Sequence, residues 1–432
     1  MTLVEKFDNV HDFLQENIHL AEDDFQTRKK EYSSEIMFGL LTALLKEKMI
    51  YVGEYGMGKT SLAETVASTI YKIPKESINA ASLKGTPGLS IEDIVGRPDL
   101  GKLNVGEEEV IWSSFLLTQP KVVDELNRIP PDKQSILLNG MESGLWSYLN
   151  SSFTPPRGSW FGTMNYSDAG NGEVIPALND RFDLMIEAKG PSVNTSRMLR
   201  NQGTQKITSP DLAQLYQNMV EEQNMDMLYR GIKVVRQDFK QMFEKQYGIE
   251  LFEDDEIKRF NQDVDDIRIS QDSEYFLDVL NAEFNSCQLY GGKRSYEECP
   301  TGCHFKDYAC NKIANGLSVR TQSTINRYSK ALAYLDGEDT VEPDYIAKIT
   351  PYTTWHKLDV KPGYVETFEE ENRTSPALFE SITDLVSDVH KRYLMVRDKQ
   401  VEFSQHVLND RIDEAENLAN HMDHPVFNEY IK

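Results

Sequence analysis

Apolar residues recur at helical spacing at the start of the chain. Val4, Phe7 and Val10 are three positions apart, and a charged stretch at residues 28–31 follows. Three- and four-residue spacing places apolar side chains on one face of a helix. The pattern therefore predicts an amphipathic helical lead-in over residues 1–33.

From residue 34 onward, helical patterns alternate with short apolar runs. Residues 49–52 form such a run, followed by a glycine-rich turn and a second helical pattern. Two further strands are predicted at 121–123 and 160–163, each leading into a polar residue. The order of strand, glycine turn and helix predicts an α/β fold with a parallel sheet, which binds ligands at the carboxyl ends of its strands.

Helical periodicity dominates after about residue 191, as at Ile325, Tyr328 and Leu332, and Ser375 with Pro376 marks the start of another helix. We therefore predict four parts: a helical lead-in at 1–33, an α/β core at 34–190, an all-α lid domain at 191–360 and a helical C-terminal extension at 361–432.

The charge balance narrows the classes of partner. The 432 residues include 46 basic and 70 acidic side chains, a formal net charge of −24, which disfavours binding to nucleic-acid backbones. Apolar runs stay well short of the ~18 to 20 residues of a membrane span, and residues 1–17 are acidic, unlike a signal peptide. We therefore expect a soluble, cytoplasmic protein.

A phosphate-binding motif follows the first predicted strand. Residues 53–60 read GEYGMGKT and fit the pattern G-x-x-x-x-G-K-[ST] between a strand and a helix. Glycines let backbone N–H groups curl around a phosphate, Lys59 reaches the β- and γ-phosphates, and the Thr60 hydroxyl ligates Mg²⁺. The predicted nucleotide-binding residues are Gly53, Glu54, Tyr55, Gly56, Met57, Gly58, Lys59, Thr60, Ser61 and Asp124. The alternative is an ordinary glycine-rich turn.

Two adjacent carboxylates end the second predicted strand. Asp124 is suited to hold Mg²⁺ through its water shell, and Glu125 to polarise the attacking water as a general base. Further along the chain, the Asn165 amide at the end of the third strand could orient that water. The alternative for the carboxylates is a solvated acidic strand end, which does not account for Asn165.

Two arginines complete the candidate catalytic set. Arg181 stands next to an aromatic residue, and Arg320 opens a predicted helix of the lid. Taken singly, either arginine could equally be a surface salt-bridge residue. The predicted catalytic residues are Glu125, Asn165, Arg181 and Arg320.

Taken together, these motifs resemble the MoxR family of AAA+ ATPases, over about residues 34–356. The most specific segment is 124–131, DELNRIPP, which continues into a helix carrying Gln134, Leu137, Leu138 and Met141. The resemblance implies Walker A at 53–60, Walker B at Asp124 and Glu125, sensor 1 at Asn165, an arginine finger at Arg181 and sensor 2 at Arg320. It also implies that Arg128 is a second trans-facing or pore-side arginine.

The resemblance further implies an assembly. Members of this family have an insert, here around 94–110, and a hairpin, here around 146–156, which both normally face the pore of a ring. We therefore expect a homo-oligomer, in particular a hexameric ring, with ATP and Mg²⁺ as cofactors. A protein client or a partner with a von Willebrand A domain is expected from family analogy alone.

The chain departs from the family pattern in three places. Residues 119–121, Gln-Pro-Lys, interrupt the apolar run that usually precedes the Walker B carboxylates. The chain between Arg181 and Arg320 is longer than in the family pattern, and the excess is assigned to an insertion at about 286–312. The tail after residue 361 matches no pattern that we can name.

All four cysteines lie in that insertion. Cys287, Cys299, Cys303 and Cys310 are close together in the sequence, and four thiolates suit a structural Zn²⁺ ion or an iron–sulfur cluster. His304 could replace one thiol. Zinc is the leading alternative, an iron–sulfur cluster the second, and unliganded or disulfide-linked thiols the third.

The leading functional interpretation is an ATPase that hydrolyses Mg·ATP at the subunit interfaces of a ring. It would act as a chaperone-like remodeller or maturation factor for a protein client. One alternative is a nucleic-acid-dependent AAA+ motor, against which stands the acidic charge. The other is an ATP-sensing scaffold without turnover, which the full set of catalytic residues argues against.

Overall fold

The computed structural model describes residues 1–166, 172–202, 205–287, 291–292, 299, 303–369 and 375–430. The chain forms two compact units, Met1–Gln262 and Asp263–Lys432. The four-part division drawn from the sequence is a different one and stays a prediction. Within the described residues, no helix combines the length and the apolar character needed to cross a membrane.

A five-stranded parallel sheet forms the centre of the first unit. Its strands are β3 (Lys48–Gly53), β4 (Leu83–Lys84), β7 (Lys121–Asp124), β10 (Trp160–Asn165) and β11 (Leu184–Glu187). They lie in the order β11-β3-β10-β7-β4, and all neighbours pair in parallel. The three strands predicted from apolar runs are confirmed. Their nearly continuous burial agrees with a parallel sheet covered on both faces.

Several helices of the first unit pack against this sheet. The helices of this unit are α1 (Leu3–Phe13), α2 (Ser34–Leu45), α3 (Lys59–Tyr71), α4 (Lys75–Ala81), α5 (Ile91–Ile94), α6 (Leu100–Leu103), α7 (Ser114–Leu117), α8 (Pro131–Ser143), α9 (Pro176–Asn179), α10 (Val193–Gln202), α11 (Pro210–Glu221) and α12 (Met225–Tyr247). Of these, α2, α3, α4 and α7 pack against the sheet. The division between the units falls within α13 (Asp254–Asp266). Helix α2 is buried along almost its whole length, so its apolar residues belong to the core.

The N-terminal segment differs from the prediction of one helical lead-in. Helix α1 passes into a π-helical turn at Leu14–His19, and a hairpin of β1 (Phe25–Gln26) and β2 (Glu31–Tyr32) follows. The helix ends at Leu20, whose backbone is left-handed, with φ of 49°. Helical spacing correctly identified α1, but the two-residue strands are too short to show a periodicity of their own.

Two small inserts project from the first unit. The first contains α5, α6 and the antiparallel pair β5 (Gly96–Pro98) and β6 (Val110–Trp112), and the second is the hairpin of β8 (Trp146–Tyr148) and β9 (Ser151–Phe153). The rings of Trp112 and Phe153 stack at 5.4 Å between centroids, so the inserts contact each other. Their predicted location at a ring pore stays a prediction.

The second unit is helical. Its helices are α14 (Gln271–Asn285), α15 (Ala309–Lys312), α16 (Val319–Leu335), α17 (Pro343–Thr354), α18 (Pro362–Val365), α19 (Ala377–Leu408), α20 (Ile412–His421) and α21 (Pro425–Tyr430). Short strand pairs are β12 (Arg268–Ile269) with β15 (Thr340–Val341), and β13 (Ser286–Cys287) with β14 (Gly291–Gly292). Helix α19 begins at Ala377, so the predicted helix start is confirmed, but Pro376 rather than Ser375 occupies the N-cap position.

A buried ion pair fastens the C-terminal helices onto this unit. Both carboxylate oxygens of Glu283 in α14 accept from the Arg392 guanidinium in α19, at 2.7 Å each. The backbone N–H of Val426 donates to His424 Nδ1 at 3.2 Å, and His424 Nε2 faces Glu283 at 3.4 Å. Burial raises the pKa of Glu283, but His424 and Arg392 outweigh this effect and hold that pKa below its usual value. The C-terminal extension is therefore packed into the second unit.

The polar interruption before the carboxylates has a structural explanation. Lys121 is only 4% exposed, and its ammonium donates to the carbonyls of Phe115, Leu116 and Thr118 at 2.6 to 2.8 Å. These carbonyls end helix α7 and have no partner within the helix. Burial lowers the pKa of Lys121 to about 7, and the three carbonyl acceptors offset part of the cost of burying the charge. Lys121 thus ties α7 to the start of β7.

Lys121→Met should destabilise the protein by about 2 to 4 kcal/mol, because three buried carbonyls lose their donor. Urea denaturation followed by circular dichroism would measure the change. Lys245→Met is the matched control, since Lys245 is exposed on α12, and we expect it to leave the unfolding midpoint unchanged. Equal midpoints for the two variants would contradict the capping role of Lys121.

Candidate active site

The parallel register brings the candidate residues to one edge of the sheet. Asn165 at the end of β10 pairs with Gly53 at the end of β3, and β7 ends at Asp124 on the other side of β10. The phosphate loop follows β3, and Glu125 follows β7. The carboxyl ends of three adjacent strands therefore form the site.

The phosphate loop has the backbone that its glycines permit. Gly56 and Gly58 have φ of +79° and +75°, and a side chain built on either would meet only open space. Gly53 is restricted differently, because a Cβ there would lie 2.7 Å from the Ala188 carbonyl oxygen. The loop leads into α3, a helix of 13 residues whose first turn presents unpaired N–H groups. Such a loop is suited to bind phosphate.

Lys59 lies folded within the loop. It is 7% exposed, and its ammonium donates to the carbonyls of Gly53 at 2.9 Å and Glu54 at 2.6 Å. Burial lowers its pKa, against the opposing charges of Asp124, Glu54 and Glu125. The ammonium thus points into the concave side of the loop, where a phosphate would replace the carbonyls as acceptor.

Two hydroxyls share one oxygen of Asp124. Thr60 Oγ1 donates to Asp124 Oδ1 at 2.6 Å, and Thr163 Oγ1 donates to the same oxygen at 2.6 Å. A hydroxyl from the helix after the loop and a carboxylate from β7, which lies on the far side of β10 from β3, are therefore in direct contact. Oxygen donors of this kind are those that Mg²⁺ prefers, so the residues fit a Mg²⁺ ion bound with nucleotide.

Glu125 is held in an uncommon backbone conformation. Its φ of 52° is left-handed, and its N–H donates to Thr163 Oγ1 at 3.0 Å. Its carboxylate lies between Arg128, whose guanidinium donates at 3.0 Å, and Asn165, whose amide donates at 3.4 Å. The chain therefore turns directly after Asp124, and the two adjacent carboxylates face different partners.

The remaining predicted residues fall into three groups. Ser61 accepts from Lys75 Nζ at 2.7 Å behind the loop, and Tyr55 is 47% exposed on the loop surface. Arg181 pairs with Glu142 of α8 and with Asp180. Arg320 belongs to the second unit, at the start of α16. The trans roles of Arg128 and Arg181 and the sensor role of Arg320 stay predictions.

The structure does not support the expected metal centre at the cysteines. Cys287 ends β13, Cys310 lies in α15, and Cys299 is exposed. None of the four cysteines, all of which are described, forms a disulfide. Across the described ranges, no three Cys, His, Asp or Glu side chains are grouped so that they could hold a metal ion. His304 contacts Asp423 at 2.9 Å.

The close spacing of the cysteines in sequence suggested a centre that their spatial placement does not provide. Cys287 lies at the end of a strand and Cys310 lies in a helix, while Cys299 and Cys303 lie outside helices and strands. Much of the connecting chain, 288–290, 293–298 and 300–302, lies outside the described residues. Proximity in sequence is a weaker constraint than the three-dimensional grouping that metal ligands require.

Sequence reasoning missed Thr163. It lies inside β10, two residues before Asn165, and is 1% exposed. Residues two apart on a strand share a face, so a polar residue at that spacing from Asn165 was the available signal.

Comparisons with known proteins agree with this architecture. Residues 306–381 match a family model described as the AAA lid domain. One solved structure, a candidate ATPase from Cytophaga hutchinsonii, is similar with a TM-score of 0.54 and 17% identity, over 89% of this chain and 95% of that one. The chain has the AAA+ fold. No curated protein matches the sequence.

The AAA+ fold fits the predicted architecture of an α/β core, an all-α lid and a helical C-terminal extension. The matched lid segment lies wholly in the second unit and extends into the start of α19. Because its sequence identity to this chain is low, the similar structure establishes the fold alone.

Thr163→Val should destabilise the protein by about 1 to 3 kcal/mol, because the Glu125 N–H loses its acceptor and Asp124 loses a donor. Thr163→Ser keeps the hydroxyl and is the matched control, with a smaller loss from the missing methyl group. The free energy of unfolding from urea titrations compares the two. If valine were tolerated as well as serine, the hydroxyl would not contribute to the stability of the site.

Proposed function

We propose that the protein is a Mg·ATP-hydrolysing AAA+ ATPase. The proposal rests on one observation: Lys59, Thr60, Asp124, Glu125 and Asn165 converge at the carboxyl edge of one parallel sheet. Each residue type suits its place, with an ammonium inside the phosphate loop, a hydroxyl touching the first carboxylate, and an amide beside the second. This arrangement also favours an enzyme that hydrolyses ATP over a scaffold that only senses it.

The side chains divide the work between binding and hydrolysis. Loop N–H groups and Lys59 would bind the phosphates, while Thr60 and Asp124 would hold Mg²⁺, which neutralises charge on the phosphates when bound. Glu125 would accept a proton from the attacking water, and Asn165 would orient that water. The two carboxylates are adjacent in sequence but face different partners, which supports separate roles.

The finer assignment to the MoxR type rests on the segment 124–131 and on the two inserts. We propose that the chain works in the cytoplasm as a ring, hexameric by family analogy, on a protein client or with a von Willebrand A-domain partner. The net charge of −24 is compatible with a protein partner and opposes a nucleic-acid motor. ATPase rates with and without added DNA would separate these two functions.

Lys59→Ala and Glu125→Gln should fail in different ways. Lys59→Ala removes the ammonium that binds phosphate, so it should weaken nucleotide binding. Glu125→Gln keeps the shape and removes the base, so it should lower kcat by about 10²-fold or more with ATP still bound. Phosphate release and fluorescent-nucleotide titration measure these two properties. Near-normal turnover by Glu125→Gln would contradict its role as the base.

Arg181 should act on the nucleotide of a neighbouring subunit. Its position just after the sensor 1 strand supports this role, although in the isolated chain it pairs with Glu142 and Asp180. A finger of this kind contributes about 10³-fold or more in rate. Arg181→Ala should therefore be inactive, and mixing it with Lys59→Ala subunits should restore some activity at mixed interfaces.

The control for this mixing experiment is Arg157→Ala, because the Arg157 side chain is 74% exposed on the same unit. This variant should hydrolyse ATP normally. Native mass spectrometry would establish that the rings contain both variants. Mixed rings without any recovered activity would exclude action of Arg181 between subunits.

A further inference from the structure

Both carboxylate oxygens of Glu125 are occupied. Oε2 accepts from Arg128 at 3.0 Å, and Oε1 accepts from Asn165 at the longer distance of 3.4 Å. The guanidinium therefore makes the stronger of the two contacts. A general base needs a lone pair directed at the proton that it removes, and here the charged contact occupies one oxygen.

The local backbone imposes this pairing. Residues Leu126–Arg128 form a 3₁₀ turn, and the Arg128 N–H donates to the Glu125 carbonyl at 2.8 Å. The left-handed conformation of Glu125 starts this turn, so that the side chains three positions apart lie on the same side of it. The local turn at 125–128 therefore brings the two side chains of the ion pair together.

The same guanidinium also reaches the phosphate loop. A second nitrogen of Arg128 donates to the Tyr55 hydroxyl at 3.1 Å, and the guanidinium carbon lies 6.0 Å from the centre of the Tyr55 ring. Tyr55 stands between Gly53 and Gly56, within the loop that would surround a phosphate. Arg128 thus connects the candidate base to the loop within one chain.

We propose that Arg128 is a positioning residue that holds Glu125 in a resting position, and that Tyr55 makes this hold depend on the phosphate loop. This proposal rests on the proposed ATPase function. It differs from the family expectation for Arg128, which places that arginine toward a neighbour or the pore.

The pair is suited to open and close. Arg128 and Glu125 are 31% and 30% exposed, so solvent screens their attraction and the contact is weak enough to exchange. Guanidinium groups bind phosphate oxygens through several charge-assisted hydrogen bonds. A bound nucleotide beside Tyr55 would therefore compete with Glu125 for Arg128 and free the carboxylate in part of the nucleotide-bound molecules, so that the hold still limits turnover at saturating ATP.

Two substitutions test this hold. Tyr55→Phe removes only the phenolic oxygen, and Arg128→Gln removes the charge with little change in length. Without its partner, the Glu125 carboxylate should be available more often to accept a proton from water. We therefore expect kcat to rise about twofold for Tyr55→Phe and about fivefold for Arg128→Gln, a size that agrees with the weak attraction of an exposed ion pair. Because Tyr55 belongs to the phosphate loop and Arg128 would contact phosphate, fluorescent-nucleotide titration measures binding separately, and kcat is compared at saturating ATP for every variant. A purely structural role would instead lower the melting temperature and kcat together.

The double variant decides whether Tyr55 acts through Arg128. If it does, Tyr55→Phe should have no further effect on kcat in the Arg128→Gln background. Additive effects, or an unchanged or lowered kcat in either single variant, would overturn the proposal. Tyr229→Phe is the matched control, because Tyr229 is 38% exposed on α12 and should behave as wild type.

The experiment separates failure of this proposal from failure of the proposed function. A wild-type protein that hydrolyses ATP no faster than the Lys59→Ala variant would refute the ATPase function. Hydrolysis that needs Lys59 and Glu125 but is unaffected by Tyr55→Phe and Arg128→Gln would leave the function standing and refute only the hold on Glu125.

Discussion

One carboxylate oxygen joins the parts of the candidate site. Asp124 Oδ1 accepts from Thr60 at the start of α3 and from Thr163 inside β10, and Thr163 also accepts the N–H of Glu125. The helix after the phosphate loop, the strand with the carboxylates and the strand that ends at Asn165 are thus fixed to each other. The order β3-β10-β7 makes this possible, because β10 lies between the other two.

Much of this site could be predicted because its parts are local. The phosphate loop combines a strand, a glycine turn and a helix in one continuous segment, and Asp124, Glu125 and Asn165 each follow a short apolar run. Thr163 was missed because it is a polar residue within a strand, where only its spacing from Asn165 distinguishes it. Sequence patterns identify the ends of elements better than polar contacts between them.

Contacts between distant residues explain the other differences. The Gln-Pro-Lys interruption looked like a defect in β7, yet Lys121 caps α7 through three carbonyls. The tail after residue 361 matched no pattern, yet Arg392 pairs with Glu283, 109 positions earlier. The cysteines show the opposite case, since residues close in sequence are not gathered into a metal site. Neither outcome follows from spacing alone, because both depend on how separate helices pack.

Helix α8 relates the proposed hold on Glu125 to the predicted arginine finger. It begins at Pro131, three residues after Arg128, and near its end Glu142 pairs with Arg181. A helix of 13 residues is about 20 Å long, so α8 spans the distance between the turn at 126–128 and Glu142. Directly beyond it, Gly144 turns the chain into the hairpin of β8 and β9. The turn that carries Arg128, the Glu142 partner of Arg181 and the start of the hairpin therefore lie on one continuous segment built around α8.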